Sequence, residues 1–207
     1  MIRYFVLAAA LVLLMPIRSF AQEDTPETSE DLFSLMEESS DSQELLPERM
    51  LLSQRIFWGE KGLFRKVGWA PLDMEQREKE LRLRRTMLTA HQFVGYATLA
   101  GMLAQGIIGG KLYNGDNSLY ETHKTLGNVV TAMYFTDAGL SLFAPPPLVN
   151  KKVKGWSSMK AHKALATIHL SAMIATQMLA EENKKAHKTA AYTAFGAYAA
   201  AAIVMKF

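Results

Sequence analysis

Four histidines of this chain occur in the same local pattern, and imidazole is the commonest metal-binding side chain in proteins. Each is followed by glutamine or lysine, and a glycine or alanine comes four residues later; the four are His91, His123, His162 and His187. A residue four positions along lies on the same face of a helix. Each histidine is therefore expected to have a gap beside it, one turn deeper, of the kind that a flat macrocycle needs.

Four apolar runs, each containing one of these histidines close to its start, must position them. The runs are about 86–109, 122–143, 158–180 and 186–205, and each is long enough to cross a hydrocarbon core of about 30 Å. Turn residues separate the runs, and short loops make neighbouring helices antiparallel. The sequence therefore predicts an all-α fold, an up-down bundle of four transmembrane helices. A soluble four-helix bundle is the alternative, which the scarcity of charge inside the runs disfavours.

Because neighbouring helices are expected to be antiparallel, the four histidines should form two couples. His91 is expected to meet His162 near one membrane surface, and His123 to meet His187 near the other. Two neutral imidazoles that face each other across a helical core are typical axial ligands of a b-type haem, so the pattern predicts two haems b. The alternative is that histidine at a helix end is only an interfacial polar residue. Zinc and di-iron sites fit less well, because they need ligands at one depth, with carboxylates or thiolates among them.

His169 and Asp137 are two further candidates inside the runs. His169 follows His162 by two turns, about 10 Å deeper, and is a candidate to replace His162 as ligand or to hydrogen-bond a haem propionate. Asp137 is the one acid well inside a run, and intramembrane carboxylates are functional candidates by default. Proton uptake, pairing with a cation, and a simple hydrogen bond to serine or threonine on a neighbouring helix are all open roles for it.

The N-terminal part of the chain has a different composition. Residues 1–21 are typical of a signal peptide, with Arg3 before the apolar stretch Tyr4–Met15 and a break at Pro16; an uncleaved anchor is the alternative. Residues 22–48 hold ten acidic side chains and no lysine or arginine. Such a segment buries too little apolar surface to order itself, so it is expected to be disordered or weakly helical.

The residues that lead into the first run also have a recognisable pattern. Residues 50–70 mix aromatic side chains with cations, which is typical of the lipid headgroup layer, or equally of a loop packed on the bundle. Asp73 is then expected to cap a polar helix that continues without a break into the first run. The predicted organisation is a signal peptide (1–21), an acidic and interfacial segment (22–70) and a four-helix transmembrane domain (71–207).

Composition excludes several kinds of site and chemistry. It also gives two opposing indications of how the chain is oriented in the membrane. The chain has no cysteine, which excludes disulfides, thiolate metal sites and thiol catalysis. A signal peptide without cysteine favours a multi-pass protein of the bacterial inner membrane whose N-terminal segment is periplasmic. However, eleven cations lie at the face where the first run begins and five at the other. The positive-inside rule would place the richer face in the cytoplasm.

The histidine pattern resembles the cytochrome b561 family of transmembrane electron carriers. That family has a core of four helices with one histidine each; helices one and three hold one haem, and helices two and four hold the other. The similarity covers about residues 86–205 and rests on the four histidines and the small residues after them. It implies that His91, His123, His162 and His187 bind the two haem irons and that the chain is a transmembrane oxidoreductase. No basic motif for ascorbate is evident, so a quinol or a periplasmic protein is the expected electron donor.

The resulting hypothesis is transmembrane electron transfer, with the chain acting as a membrane reductase of an external acceptor such as ferric iron. Its expected partners are membrane lipid, a quinol or periplasmic electron donor or acceptor, and a second copy of the chain in a homodimer; no nucleic acid is expected. The alternative is a non-redox scaffold or small transporter subunit without a cofactor. A hydrolase has little support, because the sequence shows no nucleophile elbow, zinc motif or phosphate loop.

Overall fold

The computed structural model of this protein describes residues 45–148 and 155–205, and these residues form helices and connecting segments without strands. The predicted all-α fold is confirmed. The predicted signal peptide and residues 22–44 of the acidic segment lie outside the described residues. Six α-helices occur in the described part: α1 (Leu52–Trp58), α2 (Leu63–Lys66), α3 (Met74–Tyr113), α4 (Tyr120–Leu142), α5 (Ser158–Met178) and α6 (Lys184–Val204). A short 3₁₀ helix, Asn117–Leu119, precedes α4.

Helix α3 joins the predicted polar helix and the first apolar run without a break, as the sequence predicts. It has 40 residues and is therefore about 60 Å long. The Asp73 side chain accepts a hydrogen bond from the backbone N–H of Gln76 at 2.8 Å, which satisfies one of the free donors of the first turn. The exposed i,i+4 ion pair of Lys79 with Glu75, at 2.6 Å, adds a few tenths of a kcal/mol.

The other long helices also begin at side-chain caps or turns. Ser157 accepts a hydrogen bond from the backbone N–H of Lys160 at 3.3 Å at the start of α5, and Asn183 accepts one from Ala186 at 3.0 Å at the start of α6. Between α3 and α4 the chain turns at Gly115, whose φ of +106° favours glycine. The observed bounds agree with the four predicted runs.

Each long helix is antiparallel to its neighbour in the chain. The end of α3 approaches the start of α4, because Gly109 lies against the ring of His123. The start of α5 likewise approaches the end of α6, since His162 contacts the backbone of Ala201. Helix α3 is also antiparallel to α6, where the Tyr198 hydroxyl lies 3.3 Å from the Gly95 carbonyl oxygen. The starts of α3 and α5 therefore share one end of the assembly.

One small core joins the four long helices. It consists of buried residues from each of them: Met102, Val130, Tyr134, Met173, Ala194 and Tyr198. Small residues allow close approach: a Cβ built on Gly101 would lie 2.8 Å from Val130 Cγ2. Many large apolar side chains face outward instead. By length and composition, α3 is the one helix in the described ranges that could cross a membrane.

Residues 45–70, which we call the N-terminal cap, pack against the end of α4 and the segment after it. Gln54 Nε2 donates to the Ala144 carbonyl at 3.1 Å, and Trp58 Nε1 donates to the Phe143 carbonyl at 2.9 Å. Residues 50–70 are therefore packed on the helices, which is one of the two environments that the sequence predicts for them. Trp69, in the same segment, is 77% exposed, so the cap also presents an aromatic surface outward.

A buried ion-pair cluster joins the cap to α3. Glu80 forms ion pairs with Arg65 of the cap and with Arg77 one turn earlier on its own helix. Arg77 is fully buried, and its Nε donates to the Leu45 carbonyl at 2.8 Å. Its Nη2 also donates to the Pro146 carbonyl at 3.2 Å. Because every charge has an opposite partner and further hydrogen bonds, the cluster can be buried without an isolated charge.

Candidate functional site

The structure brings the four histidines together in the predicted couples, one at the starts of α4 and α6 and the other where the start of α5 meets the middle of α3. The ring centres of His91 and His162 are 6.4 Å apart, with an angle of 83° between the ring planes. The ring centres of His123 and His187 are 6.2 Å apart, at 79°. Helices α3 and α5 supply the first couple, and α4 and α6 supply the second. The two couples therefore share nearly the same internal geometry.

Three of the four imidazoles are anchored through Nδ1 to a backbone carbonyl on a neighbouring helix. His91 Nδ1 lies 3.1 Å from the Asp137 carbonyl oxygen, and His162 Nδ1 lies 3.0 Å from that of Ala201. His187 Nδ1 lies 2.8 Å from the carbonyl oxygen of Thr176. A carbonyl only accepts, so Nδ1 carries the proton and Nε2 keeps a lone pair. Metal-binding histidines are oriented in this way.

His123 has a different environment. Its Nε2 lies 3.3 Å from Gln105 Nε2, and the Gln105 amide also donates to the His123 carbonyl at 2.8 Å. The Nδ1 atom of His123 is buried and has no hydrogen-bond partner among the described residues. Burial of an unpaired polar atom is costly, so Nδ1 of this ring is available for a further hydrogen-bond or metal partner. Gln105 here hydrogen-bonds between helices, as expected for a glutamine in an apolar run.

The spacing of the couples is compatible with one metal ion between each two rings. A metal–nitrogen bond of about 2 Å, plus about 1 Å from nitrogen to ring centre on each side, separates two ring centres by about 6 Å. Edge-to-face packing of aromatic rings gives similar distances. Ring packing does not require a carbonyl at Nδ1, whereas metal-binding histidines commonly have one. The donor set therefore fits a bis-imidazole metal site.

The predicted gaps beside the histidines are wrong at two positions. A Cβ on Gly127, four residues after His123, would lie 2.8 Å from Gln105 Nε2. A Cβ on Gly95, four residues after His91, would meet Tyr198 Oη at 3.4 Å and Asp137 Oδ2 at 3.5 Å. Polar side chains from other helices fill the space that small residues leave. At Gly127 the contact is too close for a real Cβ, so a macrocycle there requires the Gln105 amide to move aside, whereas the distances at Gly95 are ordinary van der Waals contacts.

A hydrogen-bonded aromatic cluster lies among the four helices. The Tyr134 hydroxyl lies 2.6 Å from His169 Nδ1, and the His169 ring centre is 4.9 Å from that of Tyr198. Tyr198 in turn donates to Asp137 Oδ2 at 2.7 Å. His169 thus has tyrosine partners rather than a histidine partner, and Asp137 bonds tyrosine rather than the serine or threonine considered above. The tyrosines give no periodic signal, so sequence reasoning missed them.

A glycine near the second couple offers a first test of this packing. A Cβ on Gly109 would lie 2.7 Å from His123 Cε1, so the imidazole ring, which also contacts Gln105, would have to shift. We expect Gly109→Ala to lower the free energy of unfolding by about 1–3 kcal/mol, as overpacking does. Thermal unfolding of the purified chain in mild detergent measures the change.

Gly106 is the matched control, because it lies on the same helix and a Cβ there meets nothing within 4 Å. Gly106→Ala should leave stability unchanged or raise it slightly, since alanine favours a helix over glycine by about 1 kcal/mol. Equal effects of the two substitutions would contradict the close contact at His123.

Comparison with known proteins found no match: no protein-family model, no curated protein and no solved structure matches this chain.

Proposed function

We propose that this protein carries electrons across a membrane through two b-type haems, each held by two histidines. The observation that carries the proposal is the pair of imidazole couples at opposite ends of the four apolar runs, with Nδ1 anchored in three of the four rings. Haem bound at such a site accepts and releases one electron at a time. His91 and His162 would hold one haem, and His123 and His187 the other.

The distance between the couples supports transfer across a bilayer. Gly109, which contacts His123, lies 18 residues after His91 on α3. At 1.5 Å per residue the two couples are about 27 Å apart along the helix, close to the roughly 30 Å thickness of a hydrocarbon core. Each couple would then lie towards a different membrane surface.

Helix α3 has the length and composition of a membrane-spanning helix, and the distribution of apolar side chains supports extending this to an up-down bundle of four transmembrane helices. Large apolar residues face outward on all four long helices: Phe93, Val129, Phe135, Ile168, Tyr192 and Ile203. Buried positions hold polar groups such as Thr98 and Asp137. An apolar exterior around a partly polar interior suits lipid better than water. The proposed location is the bacterial inner membrane, with a quinol or a periplasmic protein as electron donor or acceptor and a homodimer as the assembly.

The residues around the couples would orient the imidazoles. The carbonyl oxygens of Asp137, Ala201 and Thr176 fix the direction of three rings, so that Nε2 of each points away from the helix that anchors it. Gln105 occupies the position beside His123 and would have to turn aside when a macrocycle binds.

The proposal is tested by the colour of the protein. We expect the full chain, purified from membranes in mild detergent, to give a reduced-minus-oxidised difference spectrum with the α band of a b-type haem, and two haems per chain. A colourless protein that tolerates substitution of all four histidines would contradict the proposal. It would favour instead a non-redox scaffold or small transporter subunit.

A further inference from the structure

Asp137 makes the two histidine couples chemically unequal. Its side chain is only 4% exposed, and Oδ1 lies 2.8 Å from His91 Nδ1. The carbonyl oxygen of the same residue lies 3.1 Å from that nitrogen. One residue of α4 thus presents both its carboxylate and its backbone acceptor to a single imidazole of the first couple.

The second couple has no equivalent in the described part of the chain. His187 Nδ1 lies beside the carbonyl oxygen of Thr176 at 2.8 Å, and His123 lies beside the amide of Gln105 at 3.3 Å. Both of these partners are neutral. The two sites therefore have the same pair of ligands but differ by one carboxylate.

A carboxylate beside the Nδ1–H of a metal-binding imidazole makes that ligand more basic. A more basic ligand stabilises the oxidised, more positive iron over the reduced iron, and hydrogen bonding around the ligands is a recognised determinant of haem potential. Burial strengthens the effect, because charges interact more strongly away from water.

We infer that Asp137 is a positioning residue that lowers the reduction potential of the haem at His91 and His162 below that of the haem at His123 and His187. The inference rests on the proposed function. An electron that passes from the first site to the second oxidises the first and reduces the second. Asp137 makes this direction the downhill one, so the two ends of the protein have different roles: one receives electrons and the other delivers them.

Removing the Tyr198 hydroxyl and removing the Asp137 carboxylate are expected to have opposite effects on the potential of the first site. Its hydroxyl donates to Asp137 Oδ2 at 2.7 Å, which draws negative charge away from the oxygen that faces His91. Removing the hydroxyl leaves the carboxylate in place and strengthens its effect on the imidazole. Loss of the carboxylate and loss of the hydroxyl are therefore expected to shift the potential of the first site in opposite directions, which a general loosening of the core would not do.

The test is a spectroelectrochemical titration of the purified, haem-containing full chain. The variant His187→Ala, which keeps only the first couple, identifies the midpoint of the first site, and we expect it to be the lower one. Asp137→Asn should raise this midpoint by the equivalent of at least a tenfold change in the equilibrium constant, about 59 mV for a one-electron couple. Tyr198→Phe should lower it. The midpoint of the second site should stay unchanged in both.

Gln105→Leu is the matched control, because it alters a polar neighbour of the second couple and should leave the first midpoint unchanged. A wild-type protein without haem would reject the proposed function, and the inference with it. If both haems are present and Asp137→Asn leaves the first midpoint in place, or shifts it in the same direction as Tyr198→Phe does, the inference alone is rejected. If Asp137→Asn loses the first haem, the sign of the Tyr198→Phe shift decides.

Discussion

Replacing His123 by alanine is expected to remove one haem and to spare the other, so the haem content falls from two per chain to one. His123 and His187 belong to one couple, about 27 Å along α3 from the other, and a single imidazole holds a haem far less tightly than two. The spectrum of the remaining haem should match that of His187→Ala, because both substitutions empty the same site. Haem content per chain and the difference spectrum measure the result.

His169→Phe is the control for this experiment. His169 lies between the rings of Tyr134 and Tyr198, and phenylalanine keeps this ring packing while it loses the hydrogen bond to Tyr134. We expect both haems to remain. Loss of a haem in His169→Phe, together with its retention in His162→Ala, would instead identify His169 as the ligand, the alternative that the sequence left open.

Replacing Glu80 by alanine is expected to have the largest effect on stability, about 3–5 kcal/mol, because it leaves two buried arginines without their common partner. Arg77 is fully buried, and the side chain of Arg65 is 6% exposed. The cap should then separate from α3 and the segment after α4. Thermal unfolding measures the loss, and trypsin should cut faster within residues 45–70, which contain several lysines and arginines.

Glu75→Ala removes an ion pair from the same helix where both partners are exposed, at 55% and 79%. Surface pairs of this kind contribute about 0.3–0.5 kcal/mol. The matched variant should therefore be close to wild type in both measurements. If Glu80→Ala and Glu75→Ala were equally stable and equally resistant to trypsin, the cluster would not hold the cap.

Sequence patterns formed by residues close together in the chain predicted much of the fold. The four apolar runs correspond to the long helices, and Asp73 caps α3 as expected, since helix length and capping depend on residues close together in the chain. The couples of histidines were also predictable. Antiparallel order and one histidine near the start of each apolar run are enough to bring His91 to His162 and His123 to His187.

Contacts between distant side chains could not be predicted in the same way. Glu80 and Arg77 lie in a helix of alternating charges, where neither differs in type from the exposed Glu75 and Lys79; their burial depends on where the cap packs. The filling of the space beside Gly127 by Gln105 likewise depends on the rotation of α3 relative to α4. A single sequence contains the residue types for such contacts, but not the orientation that selects them.

The length of α3 has a mechanical consequence. In the proposed membrane location, about 30 Å of its roughly 60 Å would lie within the hydrocarbon core, and the rest would project beyond it as a rigid extension that carries the cap. A change of about 10° in the tilt of the helix, which is small within the range for spanning helices, moves a point 30 Å along it by about 5 Å. Helix α3 can therefore act as a lever that couples the position of the cap to that of His91, which lies near the middle of the same helix.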